Sequence, residues 1–189
     1  MILYHGTSAK YLDQILEQGI QPTETTNQNS NWDVHSAPDR VYLTDTYPLY
    51  FAITAAMELD SDAVIIEVEV DESELVPDED FLAQATRVTS NLIDDTQYFR
   101  DNLYTTEFNY SLSELAEKSL EGLGTACIKC VKPEHIIRYT VIPESDLVGL
   151  VLRECDPTIT LANHKFCGHG YKDGIKSIMQ RYPTTELQK

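Results

Sequence analysis

The chain has 189 residues, 31 of them Asp or Glu against 14 Lys or Arg, so its formal net charge is −17 and its length is that of one domain able to bury a sizeable core. An apolar share of 42% excludes a disordered polyanion: the charge decorates a folded body. No run of about 18 uncharged apolar residues occurs and the first residues lack a basic, then apolar leader, so the expectation is a soluble, cytoplasmic protein with no membrane partner.

In chain order, ILYH reads as a strand ended by Gly6-Thr7-Ser8. Ser8 caps a helix over AKYLDQILEQ, where Tyr11, Leu12, Ile15 and Leu16 recur at helical spacing and Gly19 stops the chain. The polar, aperiodic QPTETTNQNSNWDVHSAPD reads as a long loop, of the kind that carries function in compact domains. RVYLT is a short strand, after which Asp45 or Thr46 opens a helix from Pro48 to about Leu59, with the proline early in the first turn. AVIIEVEV is the clearest strand, its Glu67 and Glu69 turned outward. From Asp71 to Tyr110 the chain makes an acidic excursion with few periodic signals, and SLSELAEKSLEGL then reads as a capped amphipathic helix leading into the strand GTACIKCV. HIIRYTVI is another strand, DLVGLVL is expected as one more, and the tail holds a helix over DGIKSIMQRY. Strands without regular alternation with helices predict an α+β fold with mixed or antiparallel sheets, one domain over 1–189 with a core of about 1–142 and an extension of about 143–189.

The cysteines do not point to a metal. Cys127-x-x-Cys130 lies in a strand, where residues three apart project to opposite faces and cannot share an ion. Cys155, His164, Cys167 and His169 have ligand chemistry at irregular spacing and read as an incidental cluster. Neither GxGxxG nor GxxxxGK[ST] is present, so the two commonest phosphate-cradling loops are absent.

Three features carry chemistry. Tyr4-His5-Gly6-Thr7 places an imidazole, a glycine and a hydroxyl at a strand end, where backbone approaches a ligand closely and side chains offer hydrogen bonds to a sugar. Val41-Tyr42-Leu43-Thr44, with Tyr47, Tyr50 and Phe51 behind it, clusters aromatic rings at a strand-to-helix junction. GTACIKCVKPEHI is a strand, a proline-initiated turn and another strand.

In this order YHGTS, VYLTD and TACIKCVKPEHI resemble the ADP-ribosyltransferase-like superfamily, and in particular its small bacterial and phage members, over roughly residues 1–142. The resemblance implies a split mixed β-sheet with flanking helices and NAD held in the cleft between two half-sheets. It further implies that the Gly6 backbone holds the carboxamide, that His5 bonds ribose hydroxyls with support from Thr7, that Tyr42 stacks on the nicotinamide, that Tyr50 or Phe51 closes its other face and that Thr44 is among the residues that bind the cofactor. Where many relatives carry a Glu at the start of the late strand, this chain reads Gly122-Leu123-Gly124-Thr125-Ala126. Glu107, in YTTEFNY, is the carboxylate expected to complete the site with His5 and Tyr42, preferred to Glu121 because an acid at a helix end sits in an unfavourable field. The related tRNA 2′-phosphotransferases hold phosphates with several Arg, for which so acidic a chain is a poor candidate.

The implied activity is mono-ADP-ribosyl transfer from NAD to a macromolecule, of the toxin or counter-defence type found in bacteria and phage-infected cells, with a cognate inhibitor protein as a further partner. Charge distribution bears on the acceptor. Residues 41–125 hold 19 acidic and 3 basic side chains, whereas residues 126–189 hold 7 and 9. The acidic middle repels phosphate backbones and attracts basic protein surfaces, so a protein acceptor is expected, with nucleic acid meeting the C-terminal face as the alternative. Two other readings stand beside it: a non-catalytic acidic mimic of nucleic acid on the same fold, and an NAD glycohydrolase.

Overall fold

The computed structural model describes residues 1–26, 36–153, 175–176 and 178–187. The chain is α+β, with helices on a seven-stranded sheet. The strands are β1 (Ile2–Ser8), β2 (Val41–Thr44), β3 (Ala63–Glu69), β4 (Val76–Pro77), β5 (Thr125–Ile128), β6 (Ile136–Ile142) and β7 (Thr184–Glu186), in the order β4-β5-β2-β1-β3-β6-β7. Every ladder among the described residues is antiparallel, one of the two arrangements expected from the element order and a correction to the mixed sheet that the resemblance implied. Antiparallel pairing holds even for β1 and β2, whose connection carries α1 and α2, so a helical connection here returns the chain in the opposite direction.

Pairing is uneven, and the unevenness positions the site. β1 pairs with β3 along its whole length, from Ile2↔Glu69 to Ser8↔Ala63, but with β2 only through Tyr4↔Thr44. The sheet is therefore continuous yet nearly parted between β1 and β2, with β4-β5-β2 on one side of the seam and β1-β3-β6-β7 on the other.

The helices are α1 (Leu12–Gln18), α2 (Thr23–Thr26), α3 (Pro48–Glu58), α4 (Glu79–Thr86), α5 (Leu92–Asn102), α6 (Leu112–Leu123) and α7 (Glu144–Arg153). A 3-10 turn over Ala9–Tyr11, capped by the Ser8 hydroxyl, precedes α1. On one face of the sheet Leu3, Leu43, Val64, Ile66 and Ile128 pack with Ile15 of α1 and with Ala116 and Leu120 of α6. On the other, Ala63, Ile65 and Ile142 pack under Leu49, Ala52 and Ile53 of α3 and under Leu147 and Leu150 of α7. A third cluster, Val76, Cys127, Leu82, Phe99 and Leu103, fixes α4 and α5 at the β4-β5-β2 end. Each such buried aliphatic or aromatic side chain contributes roughly 1.5–3 kcal/mol by leaving water.

Three segments depart from the expectations. DLVGLVL is helical, not a strand: Leu147 and Leu150, three apart, bury against α3 while Val148 between them is exposed, and a helix alone puts that pair on one side. The acidic excursion contains β4, α4 and α5, with the side chains of Asp78 and Asn91 accepting the first free N–H groups of α4 and α5. Glu67 is buried, not outward, because β6 brings Arg138 onto it at 2.8 and 3.0 Å. The capped helix expected over SLSELAEKSLEGL is α6, whose Ser111 and Glu114 form a capping box.

The C-terminal tail returns to the sheet. Helical residues 175–176 and 178–181 lead into β7, which pairs with β6. Cys155, His164, Cys167 and His169 lie outside the described residues. Among the described residues no helix is long and apolar enough to cross a membrane, and no group of His, Cys, Asp and Glu side chains is arranged to hold a metal ion.

Candidate functional site

The seam between β1 and β2 gathers most of the residues singled out by their sequence context. At His5 the two strands no longer pair through their backbones, and the His5 ring takes over: its Nδ1 lies 3.1 Å from the Tyr42 carbonyl oxygen. A carbonyl only accepts, so Nδ1 carries the proton and Nε2 keeps a lone pair. Burial lowers the pKa of His5, with the bond to Tyr42 opposing, so the ring is neutral at physiological pH.

By register His5 lies opposite Ile66, on the face of Leu3, whereas Tyr42 lies opposite Cys127, on the face of Thr44 and Tyr4. The two rings thus leave the sheet on opposite sides and are joined through the Tyr42 backbone.

Gly6 is explained by packing. A Cβ there would stand 2.1 Å from the Pro48 carbonyl oxygen and 2.6 Å from the Ala52 nitrogen, so the absence of a side chain lets α3 lie directly on β1. The same contact brings the Phe51 Cβ to 3.0 Å from that point, with the Tyr50 ring edge-on to Phe51 at 5.7 Å. Tyr50 and Phe51 are half-buried, and Thr7 is buried on the His5 face.

Thr44 serves the protein itself. Its hydroxyl donates to the Gly124 carbonyl at 2.6 Å and accepts from the N–H groups of Thr46 at 3.0 Å and Tyr47 at 2.9 Å. One donor and two acceptor positions are filled, so this side chain holds the turn into α3 and the start of β5 and has no hydrogen bond left for a ligand.

Glu107 is exposed in the turn between α5 and α6, and Glu121 is exposed near the end of α6; no hydrogen bond or ion pair joins either to His5 or Tyr42 among the described residues. The carboxylate that reaches Tyr42 is Glu79, the first residue of α4. The Tyr42 hydroxyl donates to Glu79 Oε1 and accepts from the Ala37 N–H at 2.7 Å. Glu79 is 3% exposed, has Arg100 Nε 3.9 Å from Oε1, and its Oε2 has no hydrogen-bond partner among the described residues. Burial, then the acidic neighbours Cys127, Glu79 and Asp78, push the Tyr42 phenol far up, so it stays a hydrogen-bond donor.

Asp78 lies beside it, also buried. Its Oδ1 accepts the Asp80 N–H at 2.9 Å and its Oδ2 the Thr125 hydroxyl at 2.7 Å. Burial pushes its pKa up to about 7, helped by Glu79 and Asp80 and opposed by the two hydrogen bonds. β4 pairs with β5 through Val76↔Cys127 and Pro77↔Ala126, which sets the Asp78-Glu79 dipeptide down at the start of the late strand, where the sequence itself holds no acid.

Arg40 lies close enough to Glu79 to feel its charge, and its Nη1 has no hydrogen-bond partner among the described residues. Only 3% exposed, it grips Asp39 through Nε at 2.9 Å and Nη2 at 3.3 Å, donates from Nη2 to the Arg100 carbonyl at 3.2 Å, and is covered by the Tyr104 ring at 5.5 Å. Asp78, Glu79, Arg40 and Arg100 were not among the residues singled out by sequence. The available signal was Pro77-Asp78, a strand end followed by a helix cap, hidden inside a run of acids.

A cavity of about 720 Å³ is lined by Asp39 and Tyr104, the two side chains that hold Arg40, together with Val70, Val76, Ile128 and Val131 and with Lys129 and Lys132. None of the seam residues lines it. A search against models of known protein families finds no match to the chain, and a search against curated proteins finds none either.

Proposed function

We propose that the seam is the NAD site of a mono-ADP-ribosyltransferase on the ADP-ribosyltransferase-like fold, acting on a macromolecular acceptor, with protein preferred over nucleic acid. The observation that carries this reading is the parting of the sheet at Tyr4↔Thr44, with His5 and Tyr42 on its two lips. The residues present suit the group: a half-buried tyrosine, an imidazole whose Nε2 keeps a lone pair, and the half-buried Tyr50 and Phe51 on the helix that packs over Gly6.

NAD as substrate supplies a glycosidic bond whose electron pair departs with nicotinamide, neutralising the ring and leaving C1′ of the ribose to an acceptor nucleophile that gives up its proton. The chain's part is to bind and orient. His5, its Nδ1–H committed to Tyr42, accepts a hydrogen bond at Nε2 from a ribose hydroxyl. Tyr42 offers a ring face held at its hydroxyl end by Glu79 and Ala37. Thr44 keeps β2, β5 and the start of α3 in place, and Gly6 seats α3 against β1, so both lips belong to rigid elements. Exclusion of water at the ring decides between transfer and hydrolysis.

Incubation with NAD labelled in its adenylate half, together with lysate fractionated by charge, tests the reading. The expected result is nicotinamide release and label on basic proteins, both lost in His5→Ala. No release by the wild type, or equal release by His5→Ala, refutes it.

A further inference from the structure

The cavity of about 720 Å³ carries both signs of charge on its wall, and the two do not neutralise each other. Lys129 and Lys132, from the turn after β5, line it with Glu24 of α2 and with Glu74, which ends a 3-10 turn ahead of β4. All four are exposed, and none has a side-chain hydrogen bond or ion pair among the described residues. The third acid, Asp39, is matched by Arg40, which donates to it at 2.9 and 3.3 Å. Two free cations thus face two free anions, and the wall has no charge excess although the chain carries −17.

The wall is held in place without any of those four side chains. Val131 exchanges backbone hydrogen bonds with Ile20 at 2.8 and 2.9 Å, the His135 Nδ1–H donates to the Glu69 carbonyl at 2.9 Å, and the Tyr104 ring lies against the Arg40 guanidinium. The rest of the lining is largely apolar, with Val70, Val76, Ile128 and Val131 all buried. Such a surface rewards an aliphatic group that leaves water on it.

Size and charge together select the occupant. A sphere of this volume is about 11 Å across. The charges of a single amino acid stand only about 3 Å apart, whereas three extended residues span about 10 Å. A nucleotide of similar length brings a phosphate to the lysines but no cation to the glutamates, which oppose it. We propose that this cavity is a docking site for a short peptide segment that carries a cation at one end, a carboxylate at the other and aliphatic side chains between them. The cation meets the glutamates, the carboxylate meets the lysines, and the aliphatic body covers the valines. No residue of the seam lines the cavity, so this site stands apart from the NAD reading.

The test is calorimetric titration with trileucine, whose free ends supply the two charges, with its N-acetyl and C-amide forms, and with adenosine monophosphate. The proteins are the wild type, the double variant Glu24→Gln with Glu74→Gln, and the double variant Lys129→Met with Lys132→Met, with folding checked by circular dichroism. Trileucine is expected to bind the wild type, and blocking either end to weaken it about two- to fivefold, as for an exposed ion pair. Acetylation then costs nothing further in the Gln variant, nor amidation in the Met variant. Absence of trileucine binding, blocked forms that bind as well as the free one, or penalties that persist in the variants overturn the proposal. So does tighter binding of adenosine monophosphate than of trileucine, which would make the cavity an anion site.

Discussion

Asp78 makes stability a reporter on the buried acid pair. In the unfolded chain it titrates near about 3.9; in the fold burial pushes it up to about 7. The folded state thus holds a proton that the unfolded state has released, so stability is full below about pH 4, falls as pH rises between the two values, and levels off above about 7. At about 1.4 kcal/mol per unit, the loss is on the order of 4 kcal/mol. Asp78→Asn cannot ionise, yet its Oδ1 still caps α4 at the Asp80 N–H and its amide can donate to the Thr125 hydroxyl in place of the bond that Oδ2 accepts. Urea unfolding of both proteins at half-unit steps from pH 4 to 8.5 isolates the residue, because every other group titrates in both. The variant is expected to gain on the wild type steadily up to about pH 7 and to hold the gain beyond it. Parallel stability curves across that range would show that Asp78 is ionised in the fold at neutral pH, and the account of the acid pair would fail.

Two further substitutions probe the scaffold of the seam. Gly6→Ala forces a methyl group onto the Pro48 carbonyl oxygen, 2.1 Å away, where only backbone can yield; denaturant unfolding should show a loss of about 3 kcal/mol, and a cost below about 1 kcal/mol would mean that α3 does not rest on β1. Thr44→Val keeps the shape but strips three buried hydrogen bonds, leaving Gly124, Thr46 and Tyr47 backbone groups unpaired; the expected loss is about 2–4 kcal/mol, measured the same way, and a near-neutral result would refute the closed hydroxyl network.

What was legible in the sequence was local. The run AVIIEVEV, the Pro48 helix start and the Ser111 capping box each state their element within a few residues, and β3, α3 and α6 follow. DLVGLVL is ambiguous at that scale, since a short apolar run suits strand or helix; burial of Leu147 and Leu150 under α3 decides it, and α3 lies about ninety residues earlier in the chain. Glu67 fails for the same reason: alternation turned it outward, and Arg138, seventy-one residues away, turns it into a buried partner.

The candidate site divides along the same line. His5 and Tyr42 were legible because β1 and β2 announce themselves, although β1 runs on through Gly6-Thr7-Ser8, where the sequence suggested its end, and His5 sits at its middle; the seam brings the two within one hydrogen bond. The acid was not. Inside DESELVPDED the one local cue is Pro77-Asp78, a strand end followed by a helix cap, and it does not by itself tell that Glu79 is 3% exposed while Glu74 faces solvent. The separation comes from β4, two residues long, pairing with β5 about fifty positions later and so setting Pro77-Asp78-Glu79 beside Thr125 and Tyr42. Glu107 drew notice by lying in an irregular stretch with latitude to move. A catalytic or positioning carboxylate needs the opposite, a place where the fold leaves it no latitude and water does not screen it. Glu79 meets that condition, at the first turn of a capped helix, where the backbone field also favours an anion.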